Sequence, residues 1–503
     1  MKLVTIVHAM CLKNLKQLTF CLCLASTYLL TSSEFTYASN RSNSEAYESI
    51  KSVAVQLNSA NAQYLLARMY ELGKGTRKNP TESLRWYTTS AEQGYAKSQY
   101  KLGMVAINGQ LGQKKDKKKA IFWFKKAAKQ NNTNAQYRLG MLMYQSKQYS
   151  QNNYKEAISW CLKAAANNHI EAQAMLGDMY LSGKGVESSP EDALLWYEQA
   201  ANQGHVSSAF NLARLYEGGR GADKNIPSAL HWYEWAATQN HTKAQLKLAK
   251  LYQRGKLVPQ NIDEAIKWYK KVAKKNNTNA QYQLANLLID KNDPKTTPSG
   301  LKWLKKVAIK GKDKAQYLLA THYAKGDGIK KSMSDAIYWY EKSAELNNKQ
   351  SQYELSRLYL HGNFDIRNEE KGIRWLTESA KHNNALAQYE LGMRYFKGLI
   401  VNKDAKLAYY WLQKANDHKV IKATYQVGYM QTRGLGVPKN IEQGMRLIQY
   451  AAEENLVDAQ LKLAQIYEEG ILIEADLKLA ESWYLTAAEN GSSYAQERLN
   501  LIF

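Results

Sequence analysis

Apolar and small residues recur along this chain in a block of about 36 residues, called a repeat below. A repeat opens with a stretch such as Ala244–Tyr252, in which the fifth residue is Leu or similar, the sixth is small and the ninth is usually Tyr. These positions share one stripe of a helix. The opening recurs twelve times, at Ala62, Ser98, Ala135, Ala172, Ser208, Ala244, Ala280, Ala315, Ser351, Ala387, Ala423 and Ala459. A fixed period of this length predicts stacked helical repeats.

Turn and cap signals predict two helices in each repeat. Glycine, which tolerates the left-handed conformation that ends helices, follows the first stripe in ten repeats. These glycines are Gly73, Gly109, Gly183, Gly219, Gly255, Gly326, Gly362, Gly398, Gly434 and Gly470. A residue whose side-chain oxygen can cap the second helix follows in every repeat. These predicted caps are Asn79, Asp116, Asn153, Ser189, Asn225, Asn261, Thr296, Ser332, Asn368, Asp404, Asn440 and Asp476.

A tryptophan stands seven residues after the predicted cap in eleven repeats, and Leu447 takes its place in the other one. The tryptophans are Trp86, Trp123, Trp160, Trp196, Trp232, Trp268, Trp303, Trp339, Trp375, Trp411 and Trp483. A helix of this length is marginal alone in water, so each second helix has to pack on its neighbours. We interpret the tryptophan as the main packing anchor. The small residue at the sixth position of the first helix is expected to let a neighbouring helix approach closely.

The pattern resembles the Sel-one-like repeat, a 36-residue relative of the tetratricopeptide repeat. The motif Ala-x-x-x-Leu-Gly-x-x-Tyr, then Gly-x-Gly, then Lys-Ala-x-x-Trp-Tyr-x-Lys-Ala-Ala stands almost complete at 172–201 and 315–344. The resemblance covers about residues 62–503. It implies an all-α fold, a right-handed α/α superhelical solenoid of about twelve helix-turn-helix repeats. The repeats from Ala135, Ala280 and Ala423 depart from the motif, and we interpret these departures as drift rather than as bends.

The sequence predicts four parts in order. They are a signal peptide over 1–38, a linker with a capping helix over 39–61, twelve repeats over 62–494 and a closing half repeat over 495–503. A basic start, the apolar run Leu18–Leu30 and small residues up to Ala38 are typical of a secretory signal. We therefore expect a bacterial protein that is periplasmic or secreted, with an uncleaved membrane anchor as the alternative. The capping helix is expected over Ser44–Leu57.

The chain is strongly basic, with a formal net charge of +24. Lysine pairs lie near the ends of second helices, and a dense cluster occupies Lys114–Lys119. One interpretation is a solvated outer face. The other is attraction to anionic partners, such as acidic proteins, lipid head groups or acidic glycans. Nucleic acid is disfavoured, because lysine dominates over arginine and the aromatic residues occupy predicted core positions.

No arrangement that carries catalysis or binds a metal or a cofactor was found, so we expect a protein that is not an enzyme. The fragment Gly73-Lys74-Gly75 is a repeat turn and not a phosphate loop. His169, His205 and His241 fall at successive joints between repeats, and we interpret them as solvent-exposed loop residues. Cys161 is the one cysteine beyond the predicted signal, and we interpret it as a packed small residue.

The seventh position of the first helix lies beside the core stripe but differs between repeats. A structural position would repeat its residue, whereas a recognition position can vary, so this row is the predicted partner-binding surface. Its members are Arg68, Asp178, Arg214, Lys250, Asn286, Arg357 and Tyr429. The resemblance implies that first helices line a concave surface, and it implies a scaffold or adaptor for other proteins in envelope processes or host interaction. The alternative is a protein that binds envelope glycan or peptidoglycan.

The anchor hypothesis predicts the effect of removing one tryptophan. Replacement of Trp268 by alanine should lower the free energy of unfolding by about 3–5 kcal/mol, because a large buried aromatic side chain is lost. The midpoint of urea denaturation measures this loss. An unchanged midpoint would show that Trp268 lies in water.

Overall fold

The computed structural model describes residues 32–145 and 151–502 of the chain. Within those residues it contains 26 helices and no strand. The helices are α1 Ser32–Gln56, α2 Ala60–Leu72, α3 Pro80–Glu92, α4 Ala96–Asn108, α5 Lys117–Lys129, α6 Thr133–Tyr144, α7 Gln151–Ala166, α8 Ile170–Ser182, α9 Pro190–Asn202, α10 Val206–Gly218, α11 Ile226–Thr238, α12 Thr242–Arg254, α13 Ile262–Lys274, α14 Thr278–Asp290, α15 Thr297–Ile309, α16 Asp313–Lys325, α17 Met333–Glu345, α18 Lys349–His361, α19 Glu369–Lys381, α20 Ala385–Lys397, α21 Ala405–Asp417, α22 Ile421–Arg433, α23 Ile441–Glu453, α24 Val457–Glu469, α25 Leu477–Glu489 and α26 Ser493–Ile502.

Each repeat consists of an even-numbered first helix and the odd-numbered second helix that follows it. The chain divides into two compact units, Met1–Leu248 and Ala249–Phe503, which we call the N-terminal and C-terminal units. Within a unit, a first helix packs on its own second helix, and the second helix packs on the first helix of the next repeat. The predicted all-helical fold of consecutive helix pairs is confirmed.

The predicted starting helix is part of α1, which already begins at Ser32. The predicted signal peptide lies outside the described residues, apart from the first few residues of α1. In the described part of the chain, no helix combines the length and the apolar character that crossing a membrane requires.

The predicted caps hold in ten of the twelve second helices, where the side-chain oxygen accepts from a backbone N–H of the first turn. The prediction is wrong at Asn153, which lies inside α7. It is also wrong at Thr296, whose backbone is already helical and whose hydroxyl donates to the carbonyl of Leu288 at 3.0 Å. Nine of the ten predicted stop glycines adopt a left-handed conformation, and Gly362 is extended instead.

The main packing anchor of the second helix is the residue after the tryptophan. The interpretation of the tryptophan as the main anchor is therefore wrong. Tyr87, Tyr233 and Tyr484 are 0% exposed. Four tryptophans are buried, including Trp268 at 5% exposure, but the other seven are only half-buried. One residue turns the direction of a side chain by about 100° around the helix. The anchor therefore points into the core, while the tryptophan lies at its edge.

Lysines of the second helix cover several of these tryptophans. The Nζ of Lys271 stands 4.4 Å from the ring centre of Trp268, and the Nζ of Lys163 stands 4.5 Å from that of Trp160. A cation over an aromatic face is attracted by the charge distribution of the ring, and its methylene stem shields the ring from water. Part of the lysine excess thus belongs to the packing of the repeats.

The small residue at the sixth position of the first helix is required by contact with the anchor. A Cβ atom added at Gly103 would lie 2.5 Å from the ring of Phe124, and one at Gly177 would lie 2.6 Å from the ring of Tyr197. Both distances are far below van der Waals contact, so the close approach expected from the sequence is confirmed.

A buried glutamine at the second position of the first helix joins ten of the twelve repeats to the helix that precedes them. Its Nε2 donates to the carbonyl of an alanine in the last turn of that helix, as Gln281 does to Ala273 at 2.9 Å. The carbonyl of Ala273 also accepts from the backbone N–H of Asn276 at 3.1 Å, so the glutamine adds a second hydrogen bond to a carbonyl at the end of the helix. The glutamines that make this bond are Gln63, Gln99, Gln136, Gln173, Gln245, Gln281, Gln316, Gln352, Gln388 and Gln460.

Replacement of Gln281 by leucine should lower the free energy of unfolding by about 0.5–1.5 kcal/mol, because the buried hydrogen bond that joins the two helices is lost. Urea denaturation measures the loss. Gln283, two residues on in the same helix and only half-buried, is the matched control, and its replacement by leucine should change stability by less than about 0.5 kcal/mol. Equal midpoints for the two variants would contradict a role for this hydrogen bond.

Candidate functional site

The third position of the first helix carries a half-buried aromatic side chain in nine repeats, a row that the sequence analysis missed. Its members are Tyr64, Tyr100, Tyr137, Phe210, Tyr282, Tyr317, Tyr353, Tyr389 and Tyr425. The ring of Tyr64 packs on the anchor Tyr87 with centroids 5.7 Å apart, and the ring of Phe210 packs on Tyr233 at the same distance. One side of each ring thus belongs to the core and the other is open. We call the surface formed by the third, fourth and seventh positions the first-helix face.

The residues of the predicted partner-binding row differ in their exposure and in whether the side chain is already hydrogen-bonded. Five of the seven are exposed, whereas Asn286 and Tyr429 are half-buried. The carboxylate of Asp178 accepts a hydrogen bond of 2.5 Å from the buried hydroxyl of Tyr197, so it serves the core. Burial and this carboxylate raise the pKa of Tyr197 above its usual range, which keeps the hydroxyl protonated as the donor.

The structure places one member of the row in a cleft on the first-helix face of the C-terminal unit. This cleft, called the Arg357 cleft below, has a volume of about 570 Å³. It is lined by Tyr317, Lys349, Gln350, Tyr353, Glu354, Arg357, Asn383, Asn384, Ala385, Leu386 and His418. Leu386 is 53% exposed. The guanidinium of Arg357 lies 3.4 Å from the carboxylate of Glu354, and both side chains remain partly accessible.

The lining of the Arg357 cleft favours recognition over reaction. Open aromatic rings and an exposed leucine offer apolar contact, while an arginine and a glutamate offer charged hydrogen bonds. Residues of α16, α18 and α20 meet there, so a ligand would bridge successive repeats. Across residues 32–145 and 151–502, no group of three His, Cys, Asp or Glu side chains could hold a metal ion.

Several charged side chains on or near the first-helix face already pair with one another, in a network that spans two repeats. Glu71 accepts from the hydroxyl of Tyr87 at 2.7 Å and from the ammonium of Lys101, in the next repeat, at 2.7 Å. The same network recurs as Tyr233, Glu217 and Lys247, and again as Tyr484, Glu468 and Arg498. The hydrogen bond from Arg498 lowers the pKa of Glu468. The sequence carried a signal for it, a glutamate followed 30 residues later by a cation.

The three joint histidines cap first helices, so their interpretation as solvent-exposed loop residues is wrong. All three are half-buried. The Nδ1 of His205 accepts from the backbone N–H of Ser208 at 3.2 Å, and the Nδ1 of His169 accepts from that of Ala172 at 3.3 Å. Only a neutral ring can accept in this way, and burial lowers the pKa of both His169 and His205. Asparagines cap the same position in other repeats.

Cys161 occupies the anchor position of its own repeat and is 0% exposed. A Cβ atom at Gly140 would lie 2.5 Å from its sulfur, so a small side chain fits there. Burial raises the pKa of the thiol to about 12, which keeps it protonated and unreactive. The structure therefore agrees with the interpretation of a packed small residue.

A known protein family matches most of this chain. The Sel1 repeat matches eleven segments: 60–95, 96–132, 133–169, 170–205, 206–241, 242–277, 313–348, 349–384, 385–419, 421–456 and 457–492. The segment between 277 and 313, which holds α14 and α15, is not matched. It belongs to the repeat from Ala280, which departs from the motif and contains Pro294 and Pro298, yet it still forms a helix pair. No curated protein matches the chain.

Solved structures give a second comparison. The chain is similar to the crystal structure of a protective antigen present in uropathogenic Escherichia coli strains, which displays an SLR fold. The two sequences are 30% identical, and the match covers 91% of this chain and 96% of that one with a TM-score of 0.64. A Sel1 repeat protein from Oxalobacter formigenes is 25% identical over 69% of this chain and 90% of that one, with a TM-score of 0.40.

The histidine caps predict a dependence of stability on pH. Because folding lowers the pKa of His205, its cap is fully effective above the unfolded value of about 6.5 and is lost as pH falls through the folded value. Replacement of His205 by asparagine keeps a capping acceptor but removes the titration. The urea midpoint of the parent should therefore fall more than that of this variant between about pH 7.5 and about pH 5.

A matched control for this prediction is the replacement of His231, an exposed histidine inside α11, by asparagine. This variant should follow the pH dependence of the parent. If the His205 variant loses as much stability at low pH as the parent does, the capping ring is not the titrating group.

Proposed function

This chain belongs to the Sel1 repeat family, and we propose that it is an exported scaffold that binds other proteins through its first-helix face. Repeats of this family are typical of protein–protein interaction scaffolds and are typically not catalytic. The proposal gives the first helices the concave side of each unit, where a partner would contact several repeats at once. It also assigns no reaction to the protein.

The Arg357 cleft is the observation that carries this proposal. Its aromatic floor comes from the third position, which most repeats share, whereas the fourth and seventh positions vary from repeat to repeat. A shared apolar floor supplies contact area, and varied charged side chains at its rim select a partner. Arg357 and Leu386 combine a charged donor with an exposed apolar group at adjacent repeats, as a bound polypeptide segment requires.

Export is the second part of the proposal, with the periplasm or the outside of a bacterial cell as the location. The basic start and the apolar run Leu18–Leu30 support a signal peptide. The E. coli neighbour is described as a protective antigen, which is compatible with export. Envelope processes or contact with a host are the settings that we propose.

A photo-crosslinking amino acid at Leu386 tests the scaffold directly. In intact cells, it should link the full chain to one defined protein, because Leu386 lies in the Arg357 cleft and is 53% exposed. The same amino acid at Tyr338, which is 51% exposed on the second helix α17, is the control and should not capture that protein.

The alternative is binding to envelope glycan or peptidoglycan. It predicts that the purified chain sediments with purified cell wall and that Leu386 gives no protein crosslink. Four exposed aromatic or imidazole rings pack edge-on against a second-helix tryptophan, at Phe122, His231, Tyr338 and Tyr410. Such rings are the feature that favours this alternative, because amphipathic aromatic groups suit a partly polar ligand.

The predicted row gives a quantitative prediction for the captured partner. Replacement of Arg214, Lys250 and Arg357 together by alanine should weaken binding by roughly tenfold or more, because charged hydrogen bonds at the rim are lost. The circular-dichroism spectrum should stay unchanged, since all three side chains are exposed. Replacement of Lys129, Lys270 and Lys302, exposed lysines of second helices, removes the same charge and should leave binding nearly unaltered. Unaltered binding in the first variant would rule the row out.

A further inference from the structure

A second cleft lies in the N-terminal unit, where α3 and α4 meet the loop that leads into α5. Its volume is about 740 Å³. It is lined by Leu84, Thr88, Leu102, Val105, Ala106, Gly112, Gln113, Lys114, Lys115, Asp116, Lys117, Lys118, Lys119 and Trp123. None of these residues holds a third, fourth or seventh position of a first helix, so this basic cleft is separate from the first-helix face.

The floor of the basic cleft is apolar and already well packed. Leu102 is 4% exposed, Val105 is 2% exposed and the ring of Trp123 is 7% exposed. These three residues come from α4 and α5, and Leu84 of α3 lies beside them. The side chains leave a depression with apolar walls rather than a flat surface. An inserted side chain would therefore find contacts on several sides.

The rim of the basic cleft carries charge without compensation. Five lysines and one aspartate occupy 114–119, which gives a net charge of +4, and all five lysines are exposed. Among the described residues, none of these lysines lies within ion-pair distance of a carboxylate. Asp116 caps α5, because its carboxylate accepts a hydrogen bond from the backbone N–H of Lys119 at 2.9 Å.

Other lysines of this repeat do have partners for their charge. Lys126 stands over the ring of Trp123, and Lys125 pairs with Glu156 at 3.3 Å. The first turn of α5, which brings the partial positive charge of a helix N-terminus, adds to the field of the free lysines. The basic cleft is thus an apolar depression within a field that attracts anions.

The loop holds this arrangement at an energetic cost. Leu111 adopts a left-handed backbone with φ of 52°, which is unfavourable for a residue with a branched side chain, and Gly112 follows at 76°. The side chain of Leu111 packs into the cluster of Tyr87, Leu102 and Trp123. The loop is therefore anchored at one end and capped by Asp116 at the other, which places the lysines over the cleft.

We propose that the basic cleft binds an acidic segment of a partner protein, with a bulky apolar side chain on the floor and Glu or Asp carboxylates at the lysines. Polypeptide is the occupant that uses both parts of the site, because an acidic peptide supplies apolar and anionic side chains a few ångströms apart. A phospholipid head group would pair with the lysines, but it has no apolar group that could contact the floor. Nucleic acid would need an open ring to stack on, and the ring of Trp123 is nearly covered.

The test uses the full chain and a fluorescent peptide of about 12 residues that alternates Glu with Leu or Phe, followed by anisotropy at low salt. We expect binding that weakens as salt rises, as attraction between exposed charges requires. Two control peptides separate the contributions. One has Gln in place of Glu, the other has Ala in place of Leu and Phe, and each should bind at least roughly tenfold more weakly.

Variants of the chain locate the binding. Replacement of Lys114, Lys115, Lys117 and Lys118 by glutamine should weaken the peptide complex by roughly tenfold or more. The matched control removes four charges from second helices of the C-terminal unit, with Lys270, Lys274, Lys302 and Lys305 changed to glutamine. All eight side chains are exposed, so both variants should fold. Equal losses in the two variants would show general charge attraction and overturn the proposal.

The apolar floor has its own variant. Replacement of Thr88 by tyrosine fills the depression without a change of charge, and it should abolish binding while the circular-dichroism spectrum is kept. Peptide binding that tolerates this change would overturn the proposal. So would tighter binding of a single-stranded oligonucleotide, or of vesicles with acidic phospholipid, that is lost in the variant lacking Lys114, Lys115, Lys117 and Lys118.

The two proposals can fail independently. The variant that lacks Arg214, Lys250 and Arg357 should keep its affinity for the acidic peptide, because none of these residues lines the basic cleft. Loss of peptide binding in that variant would place the peptide on the first-helix face instead and would overturn the inference.

Discussion

The close contact between a small residue of the first helix and the anchor of the second helix is the constraint on which the rest of this fold depends. At Gly103 and Gly177 the anchor ring occupies the place where a Cβ atom would stand. This contact fixes how near the two helices lie, and it determines which side chains remain outside. The tryptophan then falls at the edge of the core, under a lysine, and the third position of the first helix keeps one open face.

The sequence predicts those parts of the fold that follow from one residue type at one place. Nine of the ten stop glycines adopt left-handed backbones, and ten second helices begin at their expected caps. Each of these is a local rule of backbone geometry, and repetition reinforces the signal. Thr296 and Asn153 are exceptions, and they belong to the repeats that open at Ala280 and Ala135, where the motif is weakest.

The rest of the fold depends on the direction in which each side chain points and on the group that it contacts. A single sequence displays neither. Trp268 and Tyr269 are adjacent and both aromatic, and only packing decides which one lies deeper. Gln281 looks like a surface residue until the carbonyl of Ala273, at the end of the preceding helix, is placed beside it. The joint histidines look exposed until the helix that they cap is built. Of the predicted row, Arg357 lies in a cleft, whereas Asp178 is held by Tyr197.

The glutamine bond and the Tyr–Glu–Lys network join residues at constant separations of 8, 16 and 30 along the chain. Every such separation is shorter than one period, so a gene duplication or deletion of a whole period rebuilds the same bonds on both sides of the breakpoint. A change of any other length misaligns them. The array can therefore grow or shrink during evolution in steps of one repeat, and its reach can be adjusted without redesign of the core.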